Sequence, residues 1–164
     1  EFVPGDEKTI APGRTVKRIR LLVAIAAFGL PSGSLGGYIE SKECLSQSGN
    51  AWVSGDARVF GNAWVSGDAR VFGDAQVFGD AEVSGDAQVF GDASIVWVSK
   101  VGRDNGTLTV FTGKDGDLIA TRGCFIGTID EFLAQSEKVH DDRTHLEYRM
   151  LIEVAHSRIT RSAS

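Results

Sequence analysis

The chain has only two cysteines, three prolines and one methionine in 164 residues, and no histidine between Gly49 and Val98. It also has no apolar run long enough to cross a bilayer as a helix. Each shortage excludes something. Cys44 and Cys124 are far apart and lack metal-type spacing, so they read as two free thiols in a reducing compartment. A general basic surface is missing as well. The net charge of −5 argues against direct nucleic-acid binding. Between Gly49 and Trp97 stand Asp56, Asp68, Asp74, Asp80, Glu82, Asp86 and Asp92 against Arg58 and Arg70. That segment carries the whole imbalance and the flanks cancel. The basic Arg14–Arg20 followed by the apolar Leu21–Leu30 has the look of a signal peptide. It starts well inside the chain and lacks an Ala-x-Ala site, so folded structure is expected there.

What the chain does have is a period of six. Val53, Val59, Val65, Val71, Val77, Val83, Val89 and Ile95 recur at that interval, each with an alanine two residues earlier and a Gly-Asp or Gly-Asn pair before that alanine. Alanine and valine at alternate positions point inward, and the residue between them points out. Glycine with Asp or Asn makes the turn, because glycine tolerates positive φ and the carboxylate or amide bonds its own backbone. Ile39, Leu45 and Ala51 are also six apart, in phase with the alanines, so an imperfect first unit is expected from there.

Three hexads make 18 residues, and stacking at that interval produces ladders. One face carries Trp52, Arg70 and Gln88 with Ser54, Phe72 and Phe90. A second carries Arg58, Gln76 and Ser94 with Phe60, Phe78 and Val96. The third carries Trp64, Glu82 and Lys100. Trp52, Phe60, Trp64, Phe72, Phe78 and Phe90 are therefore candidate binding residues, since contiguous exposed aromatics are normally covered by something. Asp56, Asp68, Asp74, Asp80, Asp86 and Asp92 form an acidic ladder, for which turn chemistry is the simplest explanation and an occasional Ca²⁺ an alternative.

The flanks are less regular. Residues 1–13 read as a loose lead-in, and 15–27 as a strand followed by a short helix or second strand. After a last repeat strand near Ser94–Val101, Thr107–Thr112 and Leu118–Arg122 read as a hairpin. Thr128-Ile-Asp-Glu131 is a capping box that opens a helix with Ile129, Phe132, Leu133 and Val139 on one face. Thr144-His-Leu-Glu147 reads as a second, opening a helix with Leu146, Met150, Leu151 and Val154 inward.

The repeat resembles hexapeptide-repeat proteins of the left-handed parallel β-helix family. The stretches Gly33-Ser-Leu-Gly-Gly-Tyr-Ile-Glu40, Leu45-Ser-Gln-Ser-Gly-Asn-Ala-Trp-Val53 and Gly123-Cys-Phe-Ile-Gly-Thr-Ile-Asp-Glu-Phe132 are similar to uncharacterised bacterial and phage-encoded members. The resemblance implies a mainly β chain: an N-terminal lead-in (1–34), a left-handed parallel β-helix of about three coils (35–101), and a C-terminal hairpin and two-helix cap (102–164). It also implies a phage or prophage setting in the cytoplasm of a bacterial host.

Enzymes of that family are often acyltransferases or zinc hydratases, and both chemistries need histidine. The repeat has none. His140, His145 and His156 all lie in the tail. Cys124, His140, His145 and Glu147 are the only constellation suggesting a metal or nucleophile site. The plainer reading puts the histidines at negative helix ends and buries Cys124. The expected function is therefore non-catalytic: an acidic, aromatic-laddered repeat that binds a host or phage protein, with a counter-defence inhibitor as one form of that reading. A dimer or trimer is expected, with no cofactor, metal, membrane or direct nucleic-acid contact. The alternative is an acyltransferase-like enzyme using acetyl-CoA.

Overall fold

In the computed structural model, which describes residues 1–161, the chain opens with two long strands, β1 (Phe2–Ala11) and β2 (Arg14–Arg20), paired as an antiparallel hairpin. Residues 1–13 are thus a strand rather than a loose lead-in. Leu21–Leu30 forms neither a second strand nor a full helix, only a short 3₁₀ turn at Ala26–Phe28. β3 (Leu35–Ile39) then adds antiparallel to β2.

The hexads form strands of two or three residues: β4 (Trp52–Val53), β5 (Arg58–Val59), β6 (Trp64–Val65), β7 (Arg70–Phe72), β8 (Gln76–Val77), β9 (Glu82–Val83) and β10 (Gln88–Phe90). Each stops at a glycine with positive φ. At Gly67 (φ 67°) an added Cβ would also lie 2.9 Å from the Gly85 backbone. Only glycine fits both the turn and the close stacking of one turn on the next.

Strands 18 residues apart pair in parallel, Trp52 with Arg70 with Gln88, Arg58 with Gln76, and Trp64 with Glu82. At the start the interval is twenty: Tyr38 faces Arg58, Ile39 faces Val59 and Leu45 faces Val65. Ile39 and Leu45 therefore continue the valine rows, not the alanine rows expected from their phase. The two extra residues are absorbed between Leu45 and Asn50, where the Ser46 hydroxyl donates to the Ser48 carbonyl.

These pairings do not build the single left-handed β-helix of about three coils that the resemblance implied. The strands fall into separate sheets, and no closed solenoid results. β1-β2-β3-β5-β8 is a 5-stranded mixed sheet, β10-β7-β4 a 3-stranded parallel one and β6-β9 a 2-stranded one. The reason is local. Only two or three residues pair before a glycine turn interrupts the ladder, and the antiparallel hairpin joins one of the three sheets.

The core between these sheets consists of the repeat's alanines and valines, from Val53 to Val89, nearly all without solvent contact. A fourth, antiparallel sheet closes its far end: β11 (Ile95–Val101), β12 (Gly106–Thr112), β13 (Leu118–Arg122) and β14 (Phe125–Thr128). Its two faces alternate as a pleat requires. Ile95, Trp97, Phe111 and Ile119 pack on the repeat core. Val96, Leu108, Val110, Leu118 and Ala120 pack on α1 (Ile129–Val139) and α2 (Asp142–Arg161). The helices thus cover the cap sheet of their own chain.

α1 begins at the Thr128 capping box as expected, with the Glu131 amide donating to Thr128 and the Thr128 amide to Glu131. α2 begins earlier than expected. The Asp141 carboxylate accepts from the Thr144 amide at 2.8 Å, so Asp141 caps the helix and Thr144 is buried. That turns the helix. Tyr148, Ile152, Ala155 and Ile159 face inward and Leu151 packs beside them as expected, while Leu146, Met150 and Val154 face solvent, against expectation. The last three residues of the expected third segment lie outside the described ones. No helix of the described residues is long and apolar enough to cross a membrane.

Candidate functional site

The aromatic ladders form, with two corrections. Phe60 and Phe78 stack at 4.9 Å with rings 5° from parallel, as 18-residue spacing on one sheet dictates. The next ring is Trp97, edge-on to Phe78 at 4.8 Å, and not Val96. The chain makes a 3₁₀ turn at Asp92–Ser94 before β11, which shifts the phase and turns Val96 to the helix side. Phe72 and Phe90 form a second, tilted pair at 5.1 Å. Phe78, Phe90 and Trp64 are exposed, Phe90 to 61%.

Trp52 is the other correction. It is 6% exposed and belongs to the core. Strand β3 crosses it so closely that a Cβ on Gly36 would sit 2.8 Å from the indole. It is no part of the exposed aromatic ladder.

The acidic ladder is held by specific partners at five of its six positions. The Asn50 and Asn62 amides donate to Asp68 and Asp80 of the next turn at 2.8 and 3.0 Å. Asp92 accepts from the Gln76 amide at 2.7 Å. Asp86 meets Lys114 at 3.3 Å. Asp56 pairs with Lys8 at 2.8 Å, and that hydrogen bond and charge hold its carboxyl below the usual range. Asp74 has none of these partners among the described residues. No three His, Cys, Asp or Glu side chains among the described residues converge as a metal site.

The hairpin strand β1 and its neighbour β2 supply what sequence reasoning missed: cations laid on the first part of the ladder. Lys8 reaches Asp56 and sits 4.0 Å over the Tyr38 ring. Arg18 sits 4.5 Å from the same Tyr38 ring and bonds Asp6 at 2.7 Å. Arg14 lies 5.6 Å over Phe60 and 3.2 Å from Glu40. Within the repeat, Arg70 lies over both Phe72 and Phe28. Lys8, Arg14 and Arg18 are the sequence signal for this, hidden while the lead-in reads as loose.

The third sheet ends at the joint with the cap. The Thr109 hydroxyl accepts from the Glu82 amide at 3.1 Å, and Thr121 donates to its carbonyl at 2.8 Å. Burial by this cover pushes the Glu82 carboxyl above its ordinary range, although its outer rim is still exposed.

The tail constellation does not assemble. His140 and His145 each place Nδ1 3.3 Å from the buried Ser136 hydroxyl. Glu147 instead accepts from the Gly102 amide, and Cys124 is exposed in the β13–β14 turn, not buried. His140 follows the end of α1, but His145 stands in the first turn of α2, the positive end of that dipole. The expected placement of both at negative ends fails for His145.

Two cavities flank the repeat. One, of about 630 Å³, lies at the open N-terminal end between Trp52, Ile39, Leu45 and the 21–25 loop. The other, of about 760 Å³, lies between Phe90, the β12–β13 turn and α2. Comparison of the chain with protein-family models, curated proteins and solved structures finds no match.

Proposed function

We propose that the hexapeptide region is a non-catalytic binding surface for a basic segment of a protein partner. The observation that supports this is intramolecular. Cations of the chain's own β1–β2 hairpin already dock on the ladder, with Lys8 of β1 on Asp56 and Tyr38 and Arg14 of β2 on Phe60. One 18-residue step along, Asp74 and the exposed Phe78 repeat the same chemistry without a cation. A carboxylate beside an aromatic face suits Lys or Arg, because ring quadrupole and charge act together. Among phage and bacterial proteins, nucleic-acid-binding partners carry such basic segments. A counter-defence or assembly role in a phage setting is the biological form this reading takes.

Titration with an arginine-rich peptide, followed by calorimetry at low and moderate salt, tests the reading. Binding that weakens with salt and drops about tenfold in Phe78→Ser and in Asp74→Asn is expected. Binding unaffected by both substitutions, or none at low salt, would overturn it. Acetyl-CoA serves as the control ligand: clear thermal stabilisation by it would favour acyl transfer instead.

A further inference from the structure

Arg58 is a charged side chain without a partner. It stands on β5 of the five-stranded sheet, between Tyr38 of β3 and Gln76 of β8. Its Nε is shut off from solvent and makes no hydrogen bond. The guanidinium forms no ion pair or ring contact among the described residues. The cations around it are all paired: Lys8 with Asp56, Arg14 with Glu40 and Arg18 with Asp6. Asp56 feels the Arg58 charge, but its bond goes to Lys8. A partly buried, unpaired guanidinium has lost water without gaining an acceptor. A carboxylate supplies that acceptor through two parallel hydrogen bonds. The terminal nitrogens are the ones such a ligand reaches.

Arg58 is level with Gln76, two positions after Asp74. The unpaired cation and the unpaired carboxylate therefore stand two residues apart along the strand direction, about 7 Å in extended chain. Residues i and i+2 of an extended segment present side chains on one side at that same spacing. The chain's own hairpin carries such a pair. On β1 the Asp6 carboxylate accepts from Arg18 and Tyr38, while Lys8 donates to Asp56.

We propose that the partner segment carries a carboxylate two residues from its cation, Arg58 taking the carboxylate while Asp74 and Phe78 take the cation. The inference rests on the partner-binding reading and narrows it to an extended segment in which acidic and basic residues alternate on one side. A uniformly basic segment sets like charge against Arg58, which weakens it as a partner.

Calorimetry of the full chain with two end-blocked peptides of equal length tests this. One repeats Thr-Asp-Thr-Arg and the other Thr-Asn-Thr-Arg, threonine favouring the extended form. The wild-type chain should bind the Asp peptide about tenfold more tightly, although the Asn peptide has the larger positive charge. Arg58→Met should erase the difference and leave affinity for the Asn peptide unchanged or raised. Arg58→Lys, which keeps the charge without the fork, should retain only part of it, and it decides alone if Arg58→Met fails to fold. Equal binding of the two peptides, or a preference that survives intact in these variants, overturns the inference and leaves the partner-binding reading standing. So does no binding of either peptide where the arginine-rich one binds. No binding of any of the three overturns both.

Discussion

The repeat and its C-terminal cap bury apolar surface in opposite ways. The repeat uses many small, equal contributions: alanines and valines from Val53 to Val89, each touching the same residue type one turn away. The cap uses a few large ones. Phe111 fills the junction on one face of the sheet, while Phe132 and Tyr148 stack edge to face at 5.1 Å on the other. Spreading the core over equal layers makes every layer replaceable. Concentrating it makes single residues decisive, and Phe111 most of all, because it belongs to the repeat core while sitting in the cap sheet.

Phe111→Ala is therefore expected to have the largest effect of any core truncation, about 3–5 kcal/mol of unfolding free energy by urea titration. It should also loosen the cap from the repeat, which protease nicking near Gly91–Ser94 would detect. Val71→Ala, equally buried, removes two methyl groups from one of many like layers and should cost about 2 kcal/mol. If Val71→Ala costs as much as Phe111→Ala, the contrast between distributed and concentrated cores breaks. The repeat would then be the less forgiving region.

The same contrast explains what could be read without coordinates. Inward Ala and Val, the 18-residue pairing of Trp52 with Arg70 and the Phe60–Phe78 stack follow from a local period, and the Thr128 cap and the β12–β13 hairpin from local motifs. What was not legible depends on contacts between distant segments. Trp52 is buried because Gly36 lets β3 cross it, and no rule of period six contains β3. The single solenoid fails because the β1–β2 hairpin enters one sheet and the cap sheet ends the stack, neither of which the repeat announces. Trp97 replaces Val96 through a 3₁₀ turn that shifts phase. On α2 the cap is Asp141, three residues before the expected Thr144, and Thr144 is buried in the first turn instead. Lys8 on β1 and Arg14 and Arg18 on β2 were visible, but their role needed the hairpin to be recognised.

The smallest expected effects compare the two regions through pH. In the cap, Asp141 has its carboxyl held below the usual range by bonds from the Thr144 amide and hydroxyl. A depressed folded value stabilises the protein above the unfolded value, and this stabilisation is lost as pH falls through the folded one. Asp141→Ala should accordingly lower the melting temperature at neutral pH, with the difference fading below about pH 4. Glu82, at the end of the repeat, runs the other way. Burial raises its folded value, so its contribution is fullest when the carboxyl is protonated, below the unfolded value, and is lost as pH rises through the folded one. Glu82→Gln should then be neutral to slightly stabilising at neutral pH, by no more than about 0.5 kcal/mol because solvent screens its exposed rim. That small gain should vanish on acidification, where Glu82 is itself neutral. Thermal melts of both variants at neutral and acidic pH check the pair. A Glu82→Gln variant clearly less stable than wild type at neutral pH would mean that the carboxylate is held by a favourable contact, so that burial by Thr109 and Thr121 is not its dominant environment.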